Sequence, residues 1–312
     1  MGFADIPPDT KVWFNGKLVA WKDATVHVMT HALHYGAAQF EGIRCYATPG
    51  GSFVFRLREH LQRLLNSCKL YRIPVPYTID QFQEAILGLI RANGHAACYV
   101  RPIVFRGTGA FGVNPLDNSV ECAICTWEWG KYLGEEALEK GVSVQVSTWT
   151  RFSPGAMPAM AKCAANYANS QLIKMEALLN GFDEGIALDA GGHVSEGSGE
   201  NLFAIKDGVA YTPPLAGSIL PGITRDSAIK LLGRLGVELR QETLPREFLY
   251  LADEVFLTGT AAEVTPVARI DRLPIGAGKR GPTTEKLQDA FFAVIRGEAP
   301  DEWGWLTPVA GK

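Results

Sequence analysis

An irregular aromatic stretch, Trp127-Glu-Trp-Gly-Lys-Tyr-Leu-Gly134, cuts this chain into halves of different rhythm. Before it, paired strands alternate with amphipathic helices. After it, short strands dominate. Two domains are therefore expected, in an α/β (α+β) fold: a small α/β domain over 1–126, a linker over 127–137 and a larger domain over 138–312.

The first half opens with a hairpin signal: Asn15-Gly16 lies between the apolar runs Lys-Val-Trp-Phe and Leu-Val-Ala-Trp. His27 is read as part of a strand and His31 as part of the following turn, so with His34 they do not share helical spacing, and no metal site is expected. The sequence around Phe40 leads into a strand that turns back at Gly50-Gly51. Glu59 to Tyr71 reads as a helix with Leu61, Leu64, Leu65 and Cys68 on one face. Arg63 falls off that stripe, either as a solvated charge or as an anion clamp. Thr78-Ile-Asp-Gln81 is a capping-box pattern and opens a helix that buries Phe82, Ile86, Leu89 and Ile90. Cys98 to Phe105 is a strand with Arg101 inside it. Gly107-Thr-Gly-Ala-Phe-Gly112 matches a dinucleotide fingerprint, but Pro115 follows where a helix should begin, so it reads as a glycine-rich loop.

In the second half, strands are expected at Val142–Trp149, Gly185–Asp189, Asn201–Ile205, Val209–Thr212 and Glu254–Thr258. Helices are expected from Ala164 to Leu179, Ile223 to Leu235 and Thr283 to Arg296. Lys162 stands among small and apolar residues, just before the first of these helices. Leu172, Met175 and Leu179 recur there at helix spacing, and Gly181 closes it. Such a lysine is either a surface charge or a desolvated amine able to attack a carbonyl. Downstream, Glu196 lies at a strand end beside glycines that let a flat ligand approach. Leu220-Pro-Gly-Ile-Thr-Arg-Asp226 opens a helix whose free N–H groups suit a phosphate. A lysine, a carboxylate and a phosphate-binding helix end are what pyridoxal phosphate needs.

Composition excludes other classes. The chain is 47% hydrophobic and 20% charged with net charge −3, and no basic run suggests nucleic acid. No apolar run has membrane-spanning length and no signal peptide is visible, so a cytoplasmic location is expected. The six cysteines form no framework and are read as reduced. Cys122 and Cys125 have CxxC spacing, but on a strand they point to opposite faces.

Several motifs together carry a resemblance: His34-Tyr-Gly with Phe40-Glu-Gly-Ile-Arg, Tyr99-Val-Arg-Pro102, Lys162 with Asn166-Tyr167, Glu196-Gly-Ser-Gly-Glu-Asn201, Leu220-Pro-Gly-Ile-Thr-Arg225 and Thr258-Gly-Thr-Ala-Ala-Glu263. The chain resembles branched-chain amino-acid aminotransferases, class IV enzymes of pyridoxal-phosphate fold type IV, from Val12 nearly to its end. The resemblance implies a barrel-like sheet in the larger domain and pyridoxal 5'-phosphate lying between the domains. It also implies at least a homodimer, with Gly107–Val113 reaching the partner's site.

By the same resemblance Lys162 is the catalytic, Schiff-base lysine, Glu196 pairs with the pyridine nitrogen and Tyr167 contacts the phenolic oxygen. Arg63, Gly222, Ile223, Thr224, Gly259 and Thr260 complete the cofactor site. Tyr35, Phe40, Trp129 and Tyr132 wall the substrate pocket, with Gly42, Val113 and Ala262 beside them. Thr260 and Ala261 offer N–H groups to the α-carboxylate near Tyr99, and Arg101 either takes glutamate's distal carboxylate or is structural, paired with a carboxylate across the sheet. The implied activity is reversible ping-pong amino transfer between leucine, isoleucine or valine and 2-oxoglutarate. Alternatives on the same fold are D-amino-acid transamination and aminodeoxychorismate lysis; a nicotinamide-dependent oxidoreductase is a more distant one.

Overall fold

The computed structural model of the chain describes residue 2 and residues 5–129 and 136–310. The chain packs as two compact units that are interleaved in sequence. One comprises Met1–Trp129, Ala161–Ala165 and Val294–Lys312; the other comprises Gly130–Met160 and Asn166–Ala293. The first change of unit falls inside the expected linker. The two later returns differ from the expected single boundary, and no shift of composition marks them: Lys162 belongs with the N-terminal half, not with 138–312.

In the first unit, β1 (Lys11–Phe14) and β2 (Lys17–Ala20) form the expected hairpin. Asn15 and Gly16 take φ of 48° and 87°, which such a turn demands. The loop that follows holds His27, and α1 (His31–Tyr35) begins at His31. Both histidines thus differ from the strand and turn expected, because residues 24–30 find no neighbouring strand to pair with.

The sheet is completed by β3 (Ala38–Phe40), β4 (Ile43–Thr48), β5 (Gly51–Phe55), β6 (Cys98–Arg106), β7 (Val120–Trp127) and the C-terminal strand Leu306–Pro308. Its order is Leu306–Pro308, β5, β4, β6, β7, β1, β2. β3 and β4 both pair with β6 and part at Glu41–Gly42, level with Pro102. Proline has no N–H for the ladder, although its carbonyl still accepts from Glu41 N–H at 2.9 Å. This break frees the Glu41 side chain from the strand's regular alternation.

Two helices, α2 (Leu57–Leu70) and α3 (Ile79–Ala92), pack on the sheet. Leu61, Leu64, Cys68, Phe82, Ile86, Leu89 and Ile90 join Ile43, Val54, Val100 and Ile124 in one core, as the periodicity predicts. The α3 capping box is formed: Gln81 N–H donates to Thr78 Oγ1 at 3.2 Å and Thr78 N–H to Gln81 Oε1 at 2.8 Å.

The second unit contains α4 (Ala137–Lys140), β8 (Val142–Val146), α5 (Asn166–Leu179), β9 (Glu184–Leu188), β10 (Val194–Gly197), β11 (Asn201–Lys206), β12 (Val209–Thr212) and α6 (Ile223–Arg234). It continues through β13 (Leu239–Gln241), α7 (Arg246–Leu251), β14 (Glu254–Gly259), β15 (Glu263–Ile270), β16 (Leu273–Pro274) and α8 (Pro282–Ile295). The strands form a mixed sheet in the order β10, β9, β8, β15, β14, β11, β12, β13, with β16 on β15. The sheet curls until β10 lies beside β11, which gives the barrel-like form. Strand β15 is absent from the sequence-based expectation; Pro266 in its middle weakens a strand signal.

The apolar stripe expected to organise α5 does not face the core. Leu172, Met175 and Leu179 are exposed, while Asn166, Ser170, Ile173 and Ala177 are buried. The helix crosses β9 closely at Gly185, where a Cβ would collide with Ile173, so small side chains suit the buried face. The helix also starts two residues later than expected, at Asn166, after a segment whose Ala164 N–H donates to the Ala38 carbonyl at 2.8 Å. Among the described residues no helix is long and apolar enough to cross a membrane.

Thr78→Ala removes the side-chain half of the capping box and is expected to cost about 1 kcal/mol. A urea unfolding midpoint that stays in place would show that the cap contributes nothing.

Candidate active site

Lys162 arrives as an added strand. Gln39 and Cys163 form an antiparallel bridge, and Phe40 N–H donates to the Lys162 carbonyl at 3.1 Å. Lys162 N–H donates to Ser67 Oγ at 3.0 Å. The main chain on both sides of the lysine is thus pinned, while its Nζ lies 5.1 Å from the centre of the Phe40 ring. Small neighbours make this possible: Ala161 and Cys163 are buried, and a Cβ at Gly36 would strike Ala165.

Arg63 is buried rather than solvated. Its Nε and one Nη donate to the two oxygens of Glu41 at 2.6 and 2.8 Å, a bidentate pair on a fully buried carboxylate. Burial alone would raise the Glu41 pKa, but the Arg63 guanidinium and then His60 outweigh it and hold the carboxyl well below the usual range. Burial lowers the His60 pKa more than Glu41 raises it, so the ring is neutral and its Nδ1–H donates to Glu41 Oε2 at 2.8 Å. His60 does not stand out in the sequence, and Glu41 enters there only within the motif Phe40-Glu-Gly-Ile-Arg, with no role of its own.

Arg101 lies in an aromatic box in the same unit. Its guanidinium carbon is 4.8 Å from the centre of the Phe40 ring, 5.3 Å from Tyr99 and 5.8 Å from Trp127. Its Nη2 donates to the Tyr99 hydroxyl at 3.3 Å, and its Nε is buried without a partner. The structural alternative, a carboxylate paired across the sheet, is not found among the described residues. Tyr99 also packs against Trp129, and a Cβ at Gly42 would overlap the Tyr99 hydroxyl, so glycine is required there. Tyr35 packs on His31 and stays half exposed, and Val113 is exposed on the loop after β6. Tyr132 lies outside the described residues.

The second unit gathers the other expected residues. Glu196 lies near the end of β10, where its Oε1 pairs with Arg151 Nη2 at 3.0 Å. Its Oε2 accepts from Asn201 Nδ2 at 3.1 Å and from Leu220 N–H at 2.9 Å. These donors hold it oriented. Arg151 and Asn201 carry no role in the sequence reading; a lone arginine after β8 has no pattern to betray it. Gly222 is the N-cap of α6 and makes no side-chain cap bond, and Ile223 and Thr224 begin the positive end of that helix, a place suited to an anion. Tyr167 sits in the first turn of α5 and is half-buried. Gly259 closes β14, and Thr260, Ala261 and Ala262 turn into β15; the neighbouring Thr258 Oγ1 is buried with no partner.

The Amino-transferase class IV family pattern matches residues 38–270. The chain belongs to the class IV aminotransferases. The branched-chain-amino-acid aminotransferase of Salmonella typhimurium is 53% identical over 299 residues, 96% of this chain and 97% of that one. The relative of the same name in Pseudomonas aeruginosa is 46% identical over 300 residues, with the same shares covered. The crystal structure of the Escherichia coli branched-chain amino acid aminotransferase superposes with a TM-score of 0.95 at 52% identity, covering 97% of this chain and 100% of that chain. The branched-chain amino acid aminotransferase from Thermobaculum terrenum, in its PLP-form, superposes with a TM-score of 0.90 at 37% identity, covering 97% of this chain and 99% of that chain. These matches decide against the oxidoreductase reading of Gly107–Gly112, after which the next element is a strand rather than a helix.

One further carboxyl stands out in this class IV aminotransferase. Glu200 is buried, and burial, followed by the charge of Glu184, pushes its pKa up to about 8. Folded Glu200 keeps its proton to about pH 8, whereas the unfolded group releases it near 4.5. Between those values the folded chain binds the extra proton, so raising the pH weakens folding. Glu200→Gln, neutral throughout, is expected to lose less melting temperature between about pH 5 and pH 8.5 than the parent. Equal losses would place the group's titration elsewhere.

Proposed function

We infer that this chain is a branched-chain-amino-acid aminotransferase working with pyridoxal 5'-phosphate. The observation that carries the reading is the match across nearly the whole chain, 53% identical over 299 residues, to enzymes named for that reaction. The residues fit the cofactor. The donor set offers an amine at Lys162, a carboxylate paired with Arg151 at Glu196 and a helix whose N-cap, Gly222, makes no side-chain cap bond. Buried Thr258 Oγ1 lacks a partner in the same unit as Glu196.

On this reading Lys162, Arg63, Tyr167, Glu196, Gly222, Ile223, Thr224, Gly259 and Thr260 hold the cofactor. The cofactor supplies an electron sink and a carrier for the amino group. Glu196, kept charged by Arg151, favours a proton on the ring nitrogen. Lys162 Nζ would take the proton from the substrate α-carbon and hand it, within the same half-reaction, to the cofactor carbon that carries the amine; in the other half-reaction it would move a proton the opposite way. The N–H groups of Thr260 and Ala261 bind the α-carboxylate, and Tyr167 orients the ring oxygen. Phe40, Tyr99, Tyr35 and Trp129, with Gly42 and Val113, offer apolar surface to a branched side chain. Arg101 receives the distal carboxylate of glutamate. We further propose a homodimer or larger homo-oligomer, supported by the exposed apolar side chains of Phe111, Val113 and Leu116 on one loop. A cytoplasmic setting belongs to the same reading.

The chain is expected to transfer amino groups from L-leucine, L-isoleucine and L-valine to 2-oxoglutarate. A panel of L- and D-amino acids tests this, and turnover with D-amino acids alone would overturn it. Lys162→Ala is expected to lose nearly all turnover. Borohydride reduction followed by peptide mapping should mark Lys162 in the parent; a label on Lys174 instead would sink the assignment. Arg101→Met keeps the reach without the charge. It should slow the glutamate half-reaction more than the leucine one, since a charge-assisted contact is worth about 1.5–3 kcal/mol. Equal losses would make Arg101 structural.

A further inference from the structure

The Glu41–Arg63 pair belongs to a closed hydrogen-bonded circuit within the first unit. Glu41 follows Phe40, whose N–H holds the Lys162 carbonyl at 3.1 Å. Lys162 N–H donates to Ser67 Oγ at 3.0 Å, and Ser67 Oγ–H donates to the Arg63 carbonyl at 2.8 Å. The Arg63 guanidinium returns to Glu41 through two bonds, at 2.6 and 2.8 Å. Every link except the last is a backbone or short-hydroxyl contact with little freedom. The last one fixes the plane of a long side chain.

We propose that Glu41 is a positioning residue: it aims the Arg63 guanidinium and, through this circuit, sets the span between the phosphate anchor and the Lys162 amine. The proposal rests on the assignment of Arg63 to the cofactor phosphate. Stability alone explains the pair poorly, because a buried ion pair seldom outperforms apolar side chains of the same volume. Geometry explains it better. Arginine has several rotatable bonds, and a bidentate carboxylate removes the freedom of the outermost ones. His60 contributes from below: its Nδ1–H occupies Oε2, so Glu41 cannot rotate to release the guanidinium without losing a second bond. Phosphate and amine must be engaged by one rigid ligand, so the distance between their anchors has to be set before binding.

The test uses the full-length enzyme, with cofactor dissociation measured from the holoenzyme and rebinding followed by absorbance for pyridoxal phosphate and for pyridoxal, which lacks the phosphate. Glu41→Gln keeps the volume but turns an amide N–H₂ toward an arginine donor. It is expected to weaken pyridoxal phosphate binding about tenfold, the scale seen when an outer partner of a binding group is lost. Pyridoxal binding should change less than about twofold by the same reasoning. Equal weakening of both, or of neither, overturns the proposal. If Glu41→Gln does not fold, Glu41→Asp is measured in the same way; failure of both to fold makes Glu41 a structural anchor and also overturns it. The neutral pair Glu41→Gln with Arg63→Met separates the two assignments. If that pair still prefers pyridoxal phosphate over pyridoxal as strongly as the parent, the phosphate assignment of Arg63 fails. If it loses the preference while Glu41→Gln keeps it, only the role of Glu41 fails.

Discussion

Backbone pairing between Ala38–Phe40 and Lys162–Ala164 is the contact on which the lysine's placement depends. A flexible lysine on a loop would present its amine over a wide volume. Here the carbonyl and the N–H of Lys162 are both engaged, so only the side chain remains to move. The small residues around it follow from this. The segment lies close enough to the start of β3 that a Cβ at Gly36 would collide with Ala165, and Ala161 and Cys163 are buried there. What looks in sequence like a featureless run of alanines is the condition for close main-chain approach.

Three of the buried carboxylates each have a basic side chain close at hand. Glu41 has Arg63 and His60, Glu184 has Lys174 at 2.8 Å, and Glu196 has Arg151 at 3.0 Å. The charges of Glu184 and Glu196 both oppose ionisation of Glu200, which Lys174 only partly offsets. With Lys174 and Arg151 already engaged, the least costly state for the remaining carboxyl is the protonated one. Glu196 then has no second negative charge from Glu200 beside it, which suits its proposed place at the cofactor's ring nitrogen.

Local patterns made much of the fold legible. The Asn15-Gly16 hairpin, the Thr78 capping box and the core faces of α2 and α3 all stand where short-range chemistry placed them. The glycine-containing motifs also marked the end of β10 near Glu196 and the start of α6 at Ile223. Long-range relations were hidden. Nothing near Lys162 announces that Ala161–Ala165 leave the second unit to pair with β3, since the pairing is specified by main-chain groups common to every residue. The exposed Leu172, Met175 and Leu179 misled for the opposite reason: periodicity reports an apolar face, and not what covers it. Arg151 and His60 were invisible because a partner distant in sequence gives each its role.

The surroundings of Arg101 bear on how one pocket can serve leucine and glutamate, given the proposed assignment. A guanidinium already locked to a protein carboxylate would have to break that pair before receiving a substrate, and breaking a buried pair costs about 3–5 kcal/mol. Aromatic faces are weaker partners, worth about 0.5–2 kcal/mol each. Phe40, Tyr99 and Trp127 therefore keep the charge tolerable in the resting pocket without competing strongly for it. The same rings present carbon surface to a branched alkyl side chain. Glutamate engages the guanidinium edge and leucine the ring faces, so neither substrate demands that the pocket be rebuilt. The unpartnered Nε of Arg101 is the cost of that arrangement: a donor left unsatisfied in a site whose second substrate carries the missing acceptor.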